Sequence, residues 1–408
     1  MRRLIYIFII GLLLCSYTWA DGSRYASNSL LSEGKWVKIR VDKTGIYKLS
    51  YADLKNMGFS DPSKVSVHGY GGWPLDEDFS KEYIDDVPST PVWRGSDYLL
   101  FYGKGSVKWE YDSSSQTFVH TNNPYSLYGY YFVTDATPTN DMTSVAQASG
   151  ASTRITTYDD YLLHEQELVS VNQSGREFFG EDFSGARPRT ISTFSSIPGI
   201  TDADGKVTMR FISRINSGSG TASLSINDSE LLDITIPSIQ TVSSNVRSYT
   251  KAIPGTTTAL WKGSKSEKNN VVVSYSSSGH TNVRLDYIRM QFVRTLRPYG
   301  ACTFFRSLTS VGNASRFVIS EANSNTLVFD VTDALNVKRV EADLNGSELS
   351  FTIPAGRLRE FVLVQTNQTF PSPEVVGEVA SSNLHGLEQR DMIIISAPSL
   401  VQQAERLA

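Results

Sequence analysis

The chain has 408 residues, enough for two or three domains with cores of their own, with 38 basic residues against 42 acidic and a net charge of −4. No basic cluster stands out, which excludes nucleic acid as the expected partner. The two cysteines, Cys15 and Cys302, are too few for a disulfide framework or a CxxC metal site.

The N-terminus has the layout of a secretory signal peptide: Arg2 and Arg3, an apolar run from Leu4 to Leu14, and small residues Thr18 and Ala20 ahead of a cleavage point. The apolar run is shorter than the roughly 20 residues a membrane span needs. Cys15 as a lipid acceptor is disfavoured by the bulky Leu14 before it. Residues 1–20 are therefore expected to be removed, leaving 36 basic residues against 42 acidic and Cys302 as the single thiol. No second stretch of spanning length follows.

Residues 21–150 are expected to form a β-rich domain. KWVKIRV from Lys35 alternates with period two, DKTG (42–45) is a tight turn, and Ile46–Leu49 is the returning strand. Ser50, with Asp53 three residues on, marks the start of a short helix that Gly58 ends. VSVHG, DYLLFYG and YYFVT are further strands. Residues 135–155 are small and polar, and read as a loop or linker. Evenly spaced strands with Ser/Gly/Asn loops then predict a β-sandwich or jelly-roll domain over 151–370. TFPSPE (369–374) reads as a linker. Within 371–408, DMIIIS (391–396) has the continuous apolar character of a strand buried on both faces. Leu400, Val401, Ala404 and Leu407 then follow helical spacing. That is the first β-α unit of an α/β domain, with the remainder expected to be absent after Ala408.

Candidate chemistry is sparse. A catalytic Cys302 would need a base beside it; GACTFFR is apolar, and His280 is only the nearest histidine in sequence. His164 in LLHEQEL lacks the second histidine of HExxH. GREFFGEDF (175–183), with Arg176, Glu177, Glu181, Asp182 and a contribution from Asp286 or Asp330, could hold calcium; the alternative is an aromatic-anchored loop with a buried Arg–carboxylate pair. Asp85–Asp86 and Asp159–Asp160 are expected to be solvated. GYGGW (69–73) and GKGS (103–106) read as tight turns rather than phosphate loops. Trp36, Trp73, Trp93, Trp109 and the tyrosines from Tyr125 to Tyr131 pack a core or line a glycan or peptide groove. No residue is assigned as catalytic, cofactor-binding or metal-binding, and no cofactor is expected.

Several blocks in order, KWVKIRVDKTGIYKLSYADLKNMG, VSVHGYGG, DYLLFYGKGSVKWEYD, NPYSLYGYYFVTD, SGREFFGEDF, VRLDYIRMQF and NLHGLEQRD, resemble the N-terminal half of type IX secretion sortases. These are gingipain-type (C25) cysteine peptidases that remove C-terminal sorting domains from exported cargo. NLHGLEQRDMIIISAP resembles the entry into their caspase-like peptidase domain. The resemblance implies a fold that is mainly β and a periplasmic or outer-membrane surface location. It also implies type IX secretion components and sorting-domain cargo as partners. It places the family's catalytic His and Cys beyond Ala408, so that this chain is expected to be inactive by itself. The alternative reading is a stand-alone surface glycan- or protein-binding module.

Overall fold

The computed structural model describes residues 25–408 apart from 79, 82–83, 172–174, 176, 186, 216–217, 240–251 and 278–280. The signal peptide with Cys15, and also Arg176 and His280, lie outside the described residues.

The first body is built from β1 (Trp36–Val41), β2 (Gly45–Ser50), β3 (Ser66–Gly71), β4 (Ser89–Thr90), β5 (Val92–Arg94), β6 (Tyr98–Gly103), the hairpin β7 (Val107–Asp112) and β8 (Thr117–Asn122), and β9 (Gly129–Thr134). Helix α1 (Tyr51–Asn56) follows β2, and its start is the capping box expected from the sequence: Ser50 and Asp53 each accept the other's backbone N–H. Gly58 closes it at φ +90°. The β1 register with β9 runs Val37 opposite Val133 to Val41 opposite Gly129. Val37, Ile39, Val41, Tyr47, Leu49, Leu99, Phe101 and Val133 form the core between this sheet and that of β2, β5 and β6.

The region expected as one sandwich holds two. In the first, β12 (Thr157–Glu165), β14 (Gly205–Ile215), β17 (Ile253–Trp261) and β19 (Thr281–Thr295) face β13 (Arg189–Thr190), β15 (Ser219–Ile226), β16 (Ser229–Pro237) and β18 (Val271–Ser277). Alternating residues such as Met209, Phe211, Leu224, Val273 and Met290 fill the space between them. A β-bulge interrupts the β14–β19 ladder. Arg210 pairs with Tyr287 but Phe211 with Leu285, which leaves Asp286 unpaired in the ladder.

The second sandwich takes β10 (Ser144–Val145), β11 (Thr153–Ile155), β20 (Cys302–Phe305), β21 (Ser315–Ile319), β22 (Thr326–Asp330), β23 (Lys338–Val340), β24 (Asp343–Asn345), β25 (Glu348–Ile353) and β26 (Phe361–Gln365). Phe305, Phe317, Phe351 and Phe361 stack through its centre, with centroids 5.1–6.3 Å apart. Residues 135–155 are thus more than a linker. Short parallel pairings of β10 with β23 and β11 with β21 build them into this sandwich. Pairing along a sheet edge needs only backbone, so small polar residues serve.

After TFPSPE, β27 (Glu374–Val379) returns to the first body and pairs antiparallel with β1. The apolar run 391–396 forms no strand: Met392, Ile393 and Ile395 are 60%, 79% and 95% exposed. No described strand lies alongside to give it a ladder, and no face covers it. Helix α2 (Val401–Glu405) is a single short turn beyond it. No helix among the described residues is long and apolar enough to cross a membrane.

Candidate functional site

The residues considered for chemistry are mostly engaged in structure. Cys302 lines an apolar junction, and burial pushes its thiol up to about 12. Its hydrogen-bonding neighbour is the backbone of Ile46, not a histidine. On β12, His164 has both ring nitrogens occupied, Nδ1 by the Thr193 hydroxyl at 2.8 Å and Nε2 by Glu181 at 2.7 Å.

The carboxylates of GREFFGEDF point to different partners. Glu177 and Asp286 both meet Arg210, Glu181 meets His164, and Asp182 meets Arg284. Phe179 and Phe183 anchor the loop at 1% exposure each. Burial raises the Asp286 pKa to about 6 even though Arg210 opposes the shift. Among the described residues, no three His, Cys, Asp or Glu side chains are grouped as a metal site.

Both aspartate pairs expected in solvent are tied down. Asp85 accepts from the Ala26 backbone and Asp86 from Ser29 and Leu30. On β12 the pleat sends Asp159 and Asp160 to opposite faces, and both faces are covered. Asp159 accepts the Leu308 N–H at 2.7 Å. Asp160 accepts from Arg294 at 2.8 Å and from the Tyr158 hydroxyl at 3.3 Å.

What the fold brings together is a junction of all three bodies. Hairpin β7–β8 leaves the first body and lies on β12 and β19. Trp109 stacks on Tyr161 at 4.0 Å and 18°. The Phe118 N–H donates to Gln291 Oε1, whose amide donates back to the Phe118 carbonyl. His120 meets Glu165 at 3.2 Å. From the other side, β2 and β6 pack Ile46, Leu100 and Tyr102 against Phe329, Val362 and Val364 of the second sandwich. Arg306, 2% exposed, closes the arrangement. It donates to Glu360 at 2.7 Å and to the Asp159 carbonyl at 3.0 Å, and its guanidinium lies 4.3 Å from the Tyr161 ring centroid.

Between these parts lies a cavity of about 390 Å³, lined by Trp73, Trp109, Tyr158, Asp160, Arg294, Tyr299, Phe304, Arg306 and Glu360 among others. Trp73 and Trp109 were candidates for a groove and do reach it. Trp36 is instead buried against His68, and Trp93 packs on Tyr98. Tyr125 is 84% exposed. Arg306 and Glu360 escaped the sequence analysis. The one signal was an arginine continuing the Cys302–Phe304 face of β20, a charge where alternation calls for an apolar residue.

The chain is 33% identical to dimeric latent PorU from Porphyromonas gingivalis, with a TM-score of 0.82 over 94% of this chain. The chain has a PorU-like fold. It spans 36% of the length of that PorU chain. Two carbohydrate-binding modules also match parts of it: the C-terminal module of LamC from Zobellia galactanivorans (12% identity, TM-score 0.19, 32% of this chain and 98% of the module) and one from Cellvibrio mixtus lichenase 5A (12%, 0.17, 35% and 92%). Values that low carry no argument beside the PorU-like match. No family model and no curated protein matches the chain.

Proposed function

We propose that this chain is the non-catalytic N-terminal region of a type IX secretion sortase-like cysteine peptidase, exported to the periplasm or outer-membrane surface. Its role is to support and position a peptidase domain that processes C-terminal sorting domains of cargo beside outer-membrane type IX components. The observation that carries this reading is 33% identity at a TM-score of 0.82 over nearly the whole chain. The setting of Cys302 agrees with a supporting role: a thiol pushed up to about 12 is a poor nucleophile.

A chimera tests it. The matching region of P. gingivalis PorU is replaced by residues 25–380 of this chain, and cargo is followed by the size of its processed form. Processing should persist, and should persist with Cys302→Ala and His164→Gln. A chimera that is exported and folded yet leaves cargo unprocessed would overturn the reading.

A further inference from the structure

Strand β27 pairs with β1 as far as Trp36 opposite Val379. Beyond it the chain leaves the β-bodies, and residues 380–388 form no helix or strand. Apolar burial does not hold this exit: Leu384 and Leu387 are 74% and 60% exposed. Polar contacts with two other segments do. One is residues 26–32, ahead of β1, which contain a single 3-10 turn (Leu30–Ser32). The other is the end of the loop between β3 and β4, which carries Asp85 and Asp86.

Asn383 is the hub. Its Oδ1 accepts the Ser29 N–H at 2.9 Å and the Gly386 N–H at 3.2 Å, and its Nδ2 donates to Asn28 Oδ1 at 2.8 Å. The Ser382 N–H donates to the Leu31 carbonyl at 2.9 Å, and His385 Nδ1 meets the Ala26 carbonyl at 2.8 Å. The two aspartates hold the same N-terminal segment. Asp85 accepts the Ala26 N–H at 2.6 Å. Asp86 accepts the Leu30 N–H at 2.6 Å and the Ser29 hydroxyl at 2.7 Å. Asp85 also faces His385 Nε2 at 3.5 Å, so the loop reaches the exit directly. Hydrogen bonds are directional, and those to a carboxylate are among the stronger ones. Asp86 sits at φ +53°, a left-handed conformation that a non-glycine residue keeps where its surroundings hold it. Three irregular segments thus form one joint. Without it, residues 380–388 would behave as a flexible linker spread over many directions.

We propose that residues 26–31 are a strap that fixes the direction in which the chain leaves the β-bodies, with Asn383 and Asp86 as its positioning residues. The consequence rests on the supporting role proposed above: the strap would present a following peptidase domain at one place and angle. Small displacements of reacting groups cost large factors in rate, so a loosened exit lowers turnover without touching the chemistry.

Hydrogen exchange on the purified chain tests the strap. Asn383→Ala removes the bonds to Asn28, Ser29 and Gly386. The Ser382 and Leu30 amides are not bonded to the Asn383 side chain, yet they should exchange about tenfold faster, because the joint opens as a unit. Amides of β9 should keep their protection. Asn383→Asp, which retains an oxygen for both N–H groups, should restore it at Ser382 and Leu30. Should Asn383→Ala lose its native near-UV circular dichroism, Gly386→Ala should loosen the same amides. A Cβ there would stand 2.5 Å from Asn383 Nδ2 and drive that side chain off its partners. The consequence is read in the P. gingivalis PorU chimera extended to residue 388 of this chain. Asn383→Ala should lower processed cargo about tenfold at equal chimera abundance, and Asn383→Asp should recover it. Two results would overturn the proposal: Ser382 and Leu30 amides that keep their protection in the folded variants, or cargo processed at the parent rate despite a loosened strap. A parent chimera that leaves cargo unprocessed counts instead against the supporting role, and the exchange result still decides the strap.

Discussion

Lys104 is 4% exposed, with its ammonium 3.9 Å and 4.9 Å from the ring centroids of Tyr70 and Trp73. Burial lowers its pKa from 10.5 to about 8, partly opposed by Asp333. Between those two pH values the folded chain holds fewer protons at this site than the unfolded chain, so stability rises with pH through the window. The cost of burying the charge is complete below about 8 and gone above 10.5. Lys104→Met should therefore gain most over the parent at pH 7. The gap should narrow by roughly 2–3 kcal/mol on going to pH 10.5, read from denaturant melts of the two proteins side by side. Cys302 makes the complementary case. With its thiol pushed up to about 12, Ellman's reagent at pH 8 should titrate almost nothing until denaturant is added. Rapid labelling of the native chain would contradict the packing described for β20.

At the scale of elements, the hairpin β7–β8 is the piece whose role depends most on its neighbours. A two-stranded hairpin is marginal by itself, and its own strands carry charges such as the half-buried Lys108 and the exposed Glu110. It is held by the Trp109–Tyr161 stack, the Phe118–Gln291 exchange and His120–Glu165. Trp109→Ala should weaken that docking by about 2 kcal/mol, raising hydrogen exchange of the β8 amides about thirtyfold while β1 and β9 keep their protection. Equal loosening of all three strands would mean that the hairpin is not a separately docked unit. Much of the element inventory was legible: the β1 alternation, the Ser50 capping box and the strand at VSVHG follow from local spacing. β10 and β11 were not, because their residues carry no apolar period and pair only along an edge.

For the whole molecule, the informative strands are those without a polar face. In β6, Leu99 and Phe101 enter the first body's core, while Leu100 and Tyr102 enter the core shared with the second sandwich. In β26, Phe361 and Leu363 face the phenylalanine stack, while Val362 and Val364 face that shared core. Together with β27 on β1, this couples the first body to the second sandwich. Ile46→Ala, on the first-body side of the shared core, should cost about 2–5 kcal/mol. It should also lower the melting of amides in β26 along with those in β2. Loss confined to β2 would show that the two bodies unfold independently.

The sequence by itself determined that the chain is mainly β, where most strands lie, and the capped turn of helix, because these depend on near-neighbour periodicity and local hydrogen bonding. Its blocks also carried the resemblance that the PorU-like fold bears out. Only tertiary structure decided what covers each apolar face. The strand β6, read from the sequence only as a further strand, lies between two cores, whereas the apolar run at 391–396, expected as a strand buried on both faces, has no described strand beside it. Likewise, Asp160, Arg294, Arg306 and Glu360 lie far apart in the chain, and no spacing rule joins them. They meet because three separately built bodies bring their edges to one cavity.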